Sequence, residues 1–176
     1  MEKYLLEQIK KMQGTVLGIG NLSAKITAAI EKNEHILNCY LLEVPSRGLR
    51  KKKLKLRQRS KTVNIKKIRK VFKKKRIDNI ICHYETIKDF LKTFIRDSVY
   101  ITKGTIYIYG EKADLEKLIK RYNRYTQNIE VQEKEDVFVL TIDIQNAQNH
   151  KFKDMAYWWA DTLEAFVDFM TIILVN

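Results

Sequence analysis

Hydrophobic and polar positions along this chain switch between helical and strand spacing. Residues 2–12 repeat apolar side chains every three to four positions, which predicts a leading amphipathic helix. Residues 15–19 are then a short apolar run, which predicts a buried strand. A second helical pattern ends at Lys32, and Asn21 or Ser23 has the side chain needed to cap its amino end. The start of the chain therefore predicts the order helix, strand, helix.

Further strands and helices follow in the same alternating order. Residues 35–43 are almost continuously apolar, which predicts a central strand that ends on an acid. Residues 62–65 predict a short strand, followed by a basic helix that ends near Lys75. Residues 77–83 predict another buried strand, and residues 85–97 predict a helix after it.

The region after residue 97 contains a turn, a strand and a helix. Residues 99–101 and the pair Lys103-Gly104 predict a turn that enters a strand over 105–109. Residues 111–122 predict a helix with acids in its first turn and bases in its last turn, which is the arrangement that the helix dipole favours.

The last predicted element of the main pattern is a hairpin. Residues 128–133 and 137–144 are strand-like runs on either side of a charged turn, which predicts an antiparallel pair. Alternating strands and helices that end in a hairpin predict an α/β fold: a three-layer Rossmann-like sheet, mainly parallel, with an antiparallel C-terminal hairpin. We expect one domain over residues 1–146, followed by an added C-terminal helix over 147–176.

Composition fits a single domain with a full core. The chain has 176 residues, of which 45% are hydrophobic, and this argues against wholesale disorder. Cys39 and Cys82 lie inside apolar runs without metal-ligand spacing, so we expect two buried, reduced thiols and a cytoplasmic location. Residues 2–13 are charged throughout, unlike a cleavable signal, and we expect no membrane association.

The positive charge of the chain is concentrated in one segment, residues 47–76. The formal net charge is +13, and this segment contains 17 of the 34 Lys and Arg residues and no acid. The remainder carries 34 − 17 = 17 bases against 21 acids, a balance of −4. The segment is either a solvated loop and helix face or a contact for a phosphate backbone. The nucleic-acid-binding candidates are Arg50, Lys51, Lys52, Lys53, Lys55, Arg57 and Arg59.

A glycine turn separates the first predicted strand from the second helix. Gly18, Ile19 and Gly20 follow an apolar run, and Asn21 leads into the helical pattern. A sharp turn between a strand and a helix exposes backbone N–H groups that can bind a nucleotide-like ligand. The alternative is a tight turn without a ligand, since neither a full dinucleotide fingerprint nor a P-loop lysine accompanies it.

The order of these elements resembles the class I S-adenosylmethionine-dependent methyltransferases. Residues 77–84 (Ile-Asp-Asn-Ile-Ile-Cys-His-Tyr) look like the fourth strand of that family, and residues 101–108 look like the glycine turn that enters its fifth strand. The resemblance covers residues 1–146. It implies an S-adenosylmethionine-dependent methyltransferase of the Rossmann-like class. The basic segment, residues 47–76, adds the expectation of a nucleic-acid substrate, such as RNA, that this segment recruits.

The resemblance also implies site residues. S-adenosylmethionine would lie at Gly18, Ile19, Gly20 and Asn21, and Glu43 would hold the ribose hydroxyls. The carboxyl end of the fourth strand places catalytic candidates against the substrate, where a base can position or deprotonate the methyl acceptor. Those candidates are His83, Tyr84 and Glu85. The alternative is that His83 is a structural histidine.

The sequence departs from the family pattern at several positions. Gly18 stands where the first motif has an acid, and Leu22 and Ala24 stand where it has its two later glycines. The acid that follows the third strand in the family, where it contacts adenine, is absent from this sequence, and Asn64 is the nearest candidate for its position. These departures favour a second hypothesis, a catalytically inactive descendant of the fold that binds nucleic acid or protein.

The C-terminal segment, residues 151–176, lies beyond the family-like core. Its acids, Asp154, Asp161, Glu164 and Asp168, fall within about 80° of one another on a helical wheel. Apolar side chains cover most of the remaining surface, so we expect this helix to pack on its own domain or to form a homodimer interface.

Overall fold

The computed structural model describes residues 2–20, 22–42, 68–111 and 115–145. The strand predicted at 62–65, most of the basic segment and the C-terminal helix lie outside these residues. No helix in the described ranges is long and apolar enough to cross a membrane.

Five helices and six strands make up the described part of the chain. The helices are α1 (Glu2–Lys11), α2 (Ala24–Lys32), α3 (Ile68–Val71), α4 (Leu91–Ile101) and α5 (Leu115–Tyr122). The strands are β1 (Gly14–Ile19), β2 (Ile36–Leu42), β3 (Ile77–His83), β4 (Thr102–Glu111), β5 (Ile129–Lys134) and β6 (Val137–Asp143). Two short 3₁₀ turns, Tyr84–Thr86 and Lys88–Phe90, connect β3 to α4.

The strands form one six-stranded sheet in the order β2-β1-β3-β4-β6-β5. The pairs β1–β2, β1–β3 and β3–β4 are parallel, and β6 pairs antiparallel with both β4 and β5. This confirms the predicted mainly parallel sheet with a closing hairpin. The chain moves outward from β1 to β2 and in the opposite direction from β3 to β4, so the topology reverses between β1 and β3. Ligands of open α/β sheets bind at the carboxyl edge beside such a reversal.

Helices cover both faces of the sheet. Alternate residues of β1 point to opposite faces: Val16 packs in a core with Leu5 of α1 and Ile26 of α2, whereas Leu17 packs in a second core with Phe94 of α4 and Leu118 of α5. The three-layer architecture is therefore confirmed.

Both cysteines are buried and free, as predicted. Burial raises the pKa of Cys39 to about 12, with a smaller contribution from Glu31. Burial also raises the pKa of Cys82.

Residues 35–43 were predicted to form a central strand, but the strand found there, β2, lies at one end of the described sheet. In β2, Leu37 is 78% exposed and Asn38 is also exposed. A continuous apolar run therefore did not indicate burial on both faces in this case: within β2 only Cys39 and Leu42 are buried, and among the described strands β2 pairs with β1 alone.

Three helix boundaries also differ from the predictions. The helix predicted to end near Lys75 ends at Val71. The helix predicted over 85–97 begins at Leu91, after the two 3₁₀ turns, and continues through residues 99–101 to Ile101. It continues because Ser98 and Ile101 extend the buried face of Phe94.

The strand boundaries around β4 shift accordingly. β4 starts at Thr102, directly after α4, and includes the predicted turn residues Lys103 and Gly104. Glu111 was predicted to begin a helix, but it ends β4, where it pairs with Val137 of β6. The acids near residue 111 were interpreted as the first turn of a helix. That local signal contains no information about the pairing of β4 with β6, which extends to Glu111.

Candidate ligand cleft at the carboxyl edge of the sheet

The predicted glycine turn is present directly after β1. Gly20 has a φ of +90°, a conformation that residues with a Cβ rarely adopt. A Cβ on Gly20 would also collide with Oγ1 of Thr86, in the 3₁₀ turn after β3. The backbone N–H of Gly20 donates to the carbonyl of Leu42 at 3.0 Å, which ties the turn to the end of β2. The turn therefore joins the carboxyl ends of three neighbouring strands.

Gly18 differs from Gly20 in that its surroundings are close-packed side chains. A Cβ on Gly18 would lie 2.7 Å from Cδ1 of Leu22 and 2.7 Å from Cδ2 of Leu41. The Leu22 side chain therefore lies across the last residues of β1. Leu22 is the residue that replaces a family glycine, and its side chain occupies the space that Gly18 leaves open.

A cleft of about 470 Å³ opens at the carboxyl ends of β3 and β4, on the side of the sheet that α1 and α2 cover. Its walls come from α1, from the start of α2, from the strand ends and from β6. The lining residues are Glu2, Leu5, Ser23, Ile26, His83, Tyr109, Gly110, Glu111, Val137, Phe138 and Val139. We refer to this as the edge cleft.

Two aromatic side chains of the edge cleft stand side by side. His83 of β3 pairs in register with Tyr109 of β4, and their ring centroids lie 5.0 Å apart with a 49° tilt. The Tyr109 hydroxyl is buried and has no hydrogen-bond partner among the described residues. Burial, with smaller contributions from Cys82 and Glu2, raises the pKa of Tyr109 to about 12. At neutral pH the hydroxyl is therefore protonated, and it is a buried donor that has no partner among the described residues.

Carboxylates give the edge cleft a negative character. Glu2 accepts a hydrogen bond from Oγ of Ser23 at 2.9 Å and lies 3.4 Å from Nζ of Lys25. The Ser23 hydrogen bond, with a smaller contribution from Lys25, lowers the pKa of Glu2. Glu111 is a second acid of the lining, and no Lys or Arg of the described ranges lines this cleft. Such a surface favours a neutral or cationic group over a phosphate.

The three predicted catalytic residues separate in the structure. His83 lines the edge cleft. Tyr84 is buried in the core on the opposite face of the sheet and packs edge-on against Phe138. Glu85 is exposed and its carboxylate lies 2.6 Å from Nζ of Lys88.

His83 is the predicted catalytic residue that the structure brings close to the glycine turn. Ile19 of β1 pairs with Cys82 of β3, so the next residues of the two strands, Gly20 and His83, are neighbours at the carboxyl edge. A candidate for ligand binding, Gly20, therefore lies next to a candidate for proton transfer, His83.

Other predicted site residues lie outside the described ranges. These are Asn21, Glu43, Arg50, Lys51, Lys52, Lys53, Lys55, Arg57 and Arg59. Their roles stay predictions.

The structure adds cleft residues that the sequence did not suggest. Ser23 is confirmed as the N-cap of α2, since its hydroxyl accepts from the N–H of Ile26 at 3.3 Å, but its place in the cleft wall was not foreseen. Tyr107 and Tyr109 alternate along β4 towards the α1 and α2 side, and this period-two spacing is the signal that could have identified Tyr109.

Comparison with known proteins shows the fold but not a sequence family. No protein-family model matches the chain, and no curated protein matches it. A predicted O-methyltransferase from Agrobacterium tumefaciens is similar in structure, with a TM-score of 0.55 and 11% identity over 73% of each chain. The T. thermophilus 16S rRNA methyltransferase RsmC has a TM-score of 0.54 and 12% identity, over 81% of this chain and 39% of RsmC.

A third similar structure has a different named activity. Spermidine synthase from Thermotoga maritima has a TM-score of 0.55 and 14% identity, over 84% of this chain and 58% of the synthase. At such low identities the likeness extends to the fold alone. The chain therefore has a class I methyltransferase-like fold, in agreement with the resemblance found in its sequence.

We predict that Gly20→Ala lowers the free energy of unfolding by about 1–3 kcal/mol, because the new Cβ meets both an unfavourable φ and the Thr86 side chain. Thr86→Ala should restore part of that loss when it is combined with Gly20→Ala, since it removes the colliding Oγ1. Urea unfolding of the two single variants and the double variant measures both effects. Stability of Gly20→Ala equal to that of the wild type would show that the turn is not built as described.

Proposed function

We propose that this protein is an S-adenosylmethionine-dependent methyltransferase with a nucleic-acid substrate. The observation that carries the proposal is the edge cleft itself: an acid-lined cavity with His83 at its wall, next to the glycine turn, at the topological reversal of a methyltransferase-like sheet. Open α/β sheets bind their ligands at this place.

The cofactor would be held by Gly18, Ile19, Gly20 and Asn21, with Glu43 at the ribose. When bound, S-adenosylmethionine supplies an electrophilic methyl group on a cationic sulfonium. The carboxylates of Glu2 and Glu111 and the absence of a described Lys or Arg in the lining suit a positive charge near this cleft.

The described residues that fit the methyl acceptor are His83 and Tyr109. The imidazole of His83 is suited to orient a nucleophilic nitrogen or oxygen and to take its proton. The ring of Tyr109, whose centroid lies 5.0 Å from that of His83, is suited to hold the imidazole in position. The proposal gives these two side chains positioning and proton-transfer roles.

The charge distribution favours a nucleic-acid substrate whose base, and not its phosphate, enters the edge cleft. The cleft is acid-lined, while residues 47–76 concentrate 17 cations. Phosphates would therefore be bound outside the cleft, and the base would be presented to His83. RsmC, which has the same fold, is by its name an enzyme that acts on ribosomal RNA, and we propose RNA as the first substrate to test.

A second candidate function is a catalytically inactive module that binds nucleic acid or protein. The packing of the glycine turn favours it, because Leu22 fills the space beside Gly18 and Thr86 fills the space beside Gly20. In a cofactor-binding turn, glycines leave space that a ligand can occupy. Here the side chains of Leu22 and Thr86 occupy the space where a Cβ of Gly18 or Gly20 would lie.

We also propose a cytoplasmic location, because the two buried thiols carry no disulfide. The C-terminal segment 151–176 is proposed to pack on its own domain or, as the alternative, on a second copy of the chain.

We predict that S-adenosylmethionine and S-adenosylhomocysteine both give saturable heat in a calorimetric titration of the full chain. Gly20→Ala should weaken both by about tenfold or more, which corresponds to about 1.4 kcal/mol. Gly14→Ala is the matched control: Gly14 also has a positive φ, of 76°, and a Cβ there would collide with Asp78 at the amino end of β1.

The Gly14→Ala control shows whether a loss of affinity comes from damage to the binding site or from backbone strain in general. Both variants are titrated at a temperature where thermal melts show them folded, and Gly14→Ala should retain its affinity within about twofold. No heat with the wild-type protein would overturn the methyltransferase proposal and favour the inactive module.

We predict that a fluorescein-labelled RNA binds the full chain with an affinity that falls steeply with salt, because phosphate contacts release counterions. Reversing Lys51, Lys52 and Lys53 to Glu should weaken binding in a fluorescence anisotropy titration. The matched control reverses three exposed lysines of α1 and α2, which are Lys3, Lys10 and Lys32. Binding that is indifferent both to salt and to the Lys51–Lys53 reversal would remove residues 47–76 from the proposal.

A further inference from the structure

A second cleft, of about 480 Å³, lies between α4 and α5 and was not suggested by the sequence. Its lining residues are Lys92, Ile95, Lys117, Lys120, Arg121, Arg124 and Tyr125. Five of these seven residues are cationic and none is acidic. We refer to it as the basic cleft.

Most of the positive charge of the basic cleft comes from a single stripe. Lys117, Lys120 and Arg121 lie on α5 at helical spacing, and Arg124 continues the stripe in the turn that follows. Like charges at these spacings destabilise a helix. The one acid within α5, Glu116, is not part of the cleft lining. The concentration of positive charge along this stripe favours a polyanion as the ligand.

The rest of the lining suits a nucleotide chain. Ile95 is buried, and Tyr125 is half-buried and packs against the core, so its ring is held in place at the cleft wall. A fixed aromatic ring beside a cationic groove is the combination that binds single-stranded nucleic acids, since any base can stack on it.

The dimensions also agree with a phosphate backbone. The helical part of the stripe, from Lys117 to Arg121, spans four positions, about 6 Å at about 1.5 Å per residue, and Arg124 extends it beyond the helix. Cations spread over this length can contact more than one phosphate of the same strand.

A lipid surface fits this region less well. An amphipathic surface that binds membranes inserts large apolar side chains beside its cations. The exposed large hydrophobic residues of the described chain are Leu37 on β2 and Val137 on β6, and neither lies on α4 or α5. The basic region is also a concave cleft.

We infer that the basic cleft binds the phosphodiester backbone of a nucleic acid, as a contact separate from residues 47–76. The helices α4 and α5 cover one face of the sheet, and the edge cleft opens on the face that α1 and α2 cover. The cleft would hold the substrate backbone away from the reacting base. The inference rests on the proposed function in one respect, which is that the ligand is a nucleic acid. It does not depend on methyl transfer, because binding of the backbone requires no reaction.

The test is fluorescence anisotropy with a labelled single-stranded RNA and the full chain carrying Lys92→Glu and Lys120→Glu. Both lysines are exposed, on α4 and α5 respectively. We expect affinity to fall by about tenfold or more, and the slope of log affinity against log salt to lose about 0.7 for each phosphate contact removed. The milder pair Lys92→Gln and Lys120→Gln should show a smaller loss, and thermal melts establish that each variant is folded.

The matched control is Lys10→Glu with Lys32→Glu, which makes the same change in net charge on α1 and α2. It should change RNA affinity by less than about threefold. An equal loss in control and cleft variants, or no loss in the cleft variants, would overturn the inference. A DNA strand of the same sequence shows whether the cleft prefers RNA or DNA. If the cleft variants lose binding to anionic vesicles but not to nucleic acid, the cleft binds a membrane and the inference is overturned as well.

The outcomes distinguish this inference from the proposed function. If the wild-type chain binds RNA and the cleft variants bind it equally, the inference fails and the proposed function stands. If the wild-type chain binds neither RNA nor DNA, the inference and the proposed nucleic-acid substrate both fail. The heat of S-adenosylmethionine binding is measured separately and decides the cofactor.

Discussion

The parallel pairing of β1 with both β2 and β3 is the constraint on which the candidate site depends. Ile19 pairs with Leu42 on one side and with Cys82 on the other. This register places the glycine turn beside His83. It also lets the backbone N–H of Gly20 donate a hydrogen bond to the carbonyl of Leu42 in β2. A slip of one residue would turn alternate side chains to the opposite face and separate the turn from the edge cleft. The core residues of β1 on both faces make such a slip costly, because they would all exchange faces.

Charge is divided between surfaces that the fold keeps apart. The edge cleft carries Glu2 and Glu111, and the basic cleft carries five cations on the other face of the sheet. A phosphate in the edge cleft would lie near the carboxylates of Glu2 and Glu111, and no Lys or Arg of the described residues lines that cleft. Under the proposed function, the backbone of the nucleic acid would be bound on the basic surfaces and an uncharged base would reach His83.

The sequence predicted most of the fold and part of the candidate site. Residues 77–83 were predicted with their observed bounds, because the segment concentrates the buried apolar residues Ile77, Ile80, Ile81 and Cys82 after a run of cations. The glycine turn was predicted for the same kind of local reason. The position of β2 in the sheet and the end of β4 at Glu111 depend on which strands become neighbours, and local patterns do not contain that information. Tyr109 was missed because its importance comes from the β3–β4 register that places it beside His83.

The central claim is that an S-adenosyl ligand binds at the carboxyl end of β1. The most direct test is a ¹H–¹⁵N NMR titration of the full chain with S-adenosylhomocysteine, with backbone assignments. Binding there should cause saturable shifts of the amides of Gly18, Ile19, Gly20 and His83, and leave the amides of Lys103 and Gly104, at the opposite edge of the sheet, unchanged. Unchanged spectra, or shifts confined to that opposite edge, would contradict it.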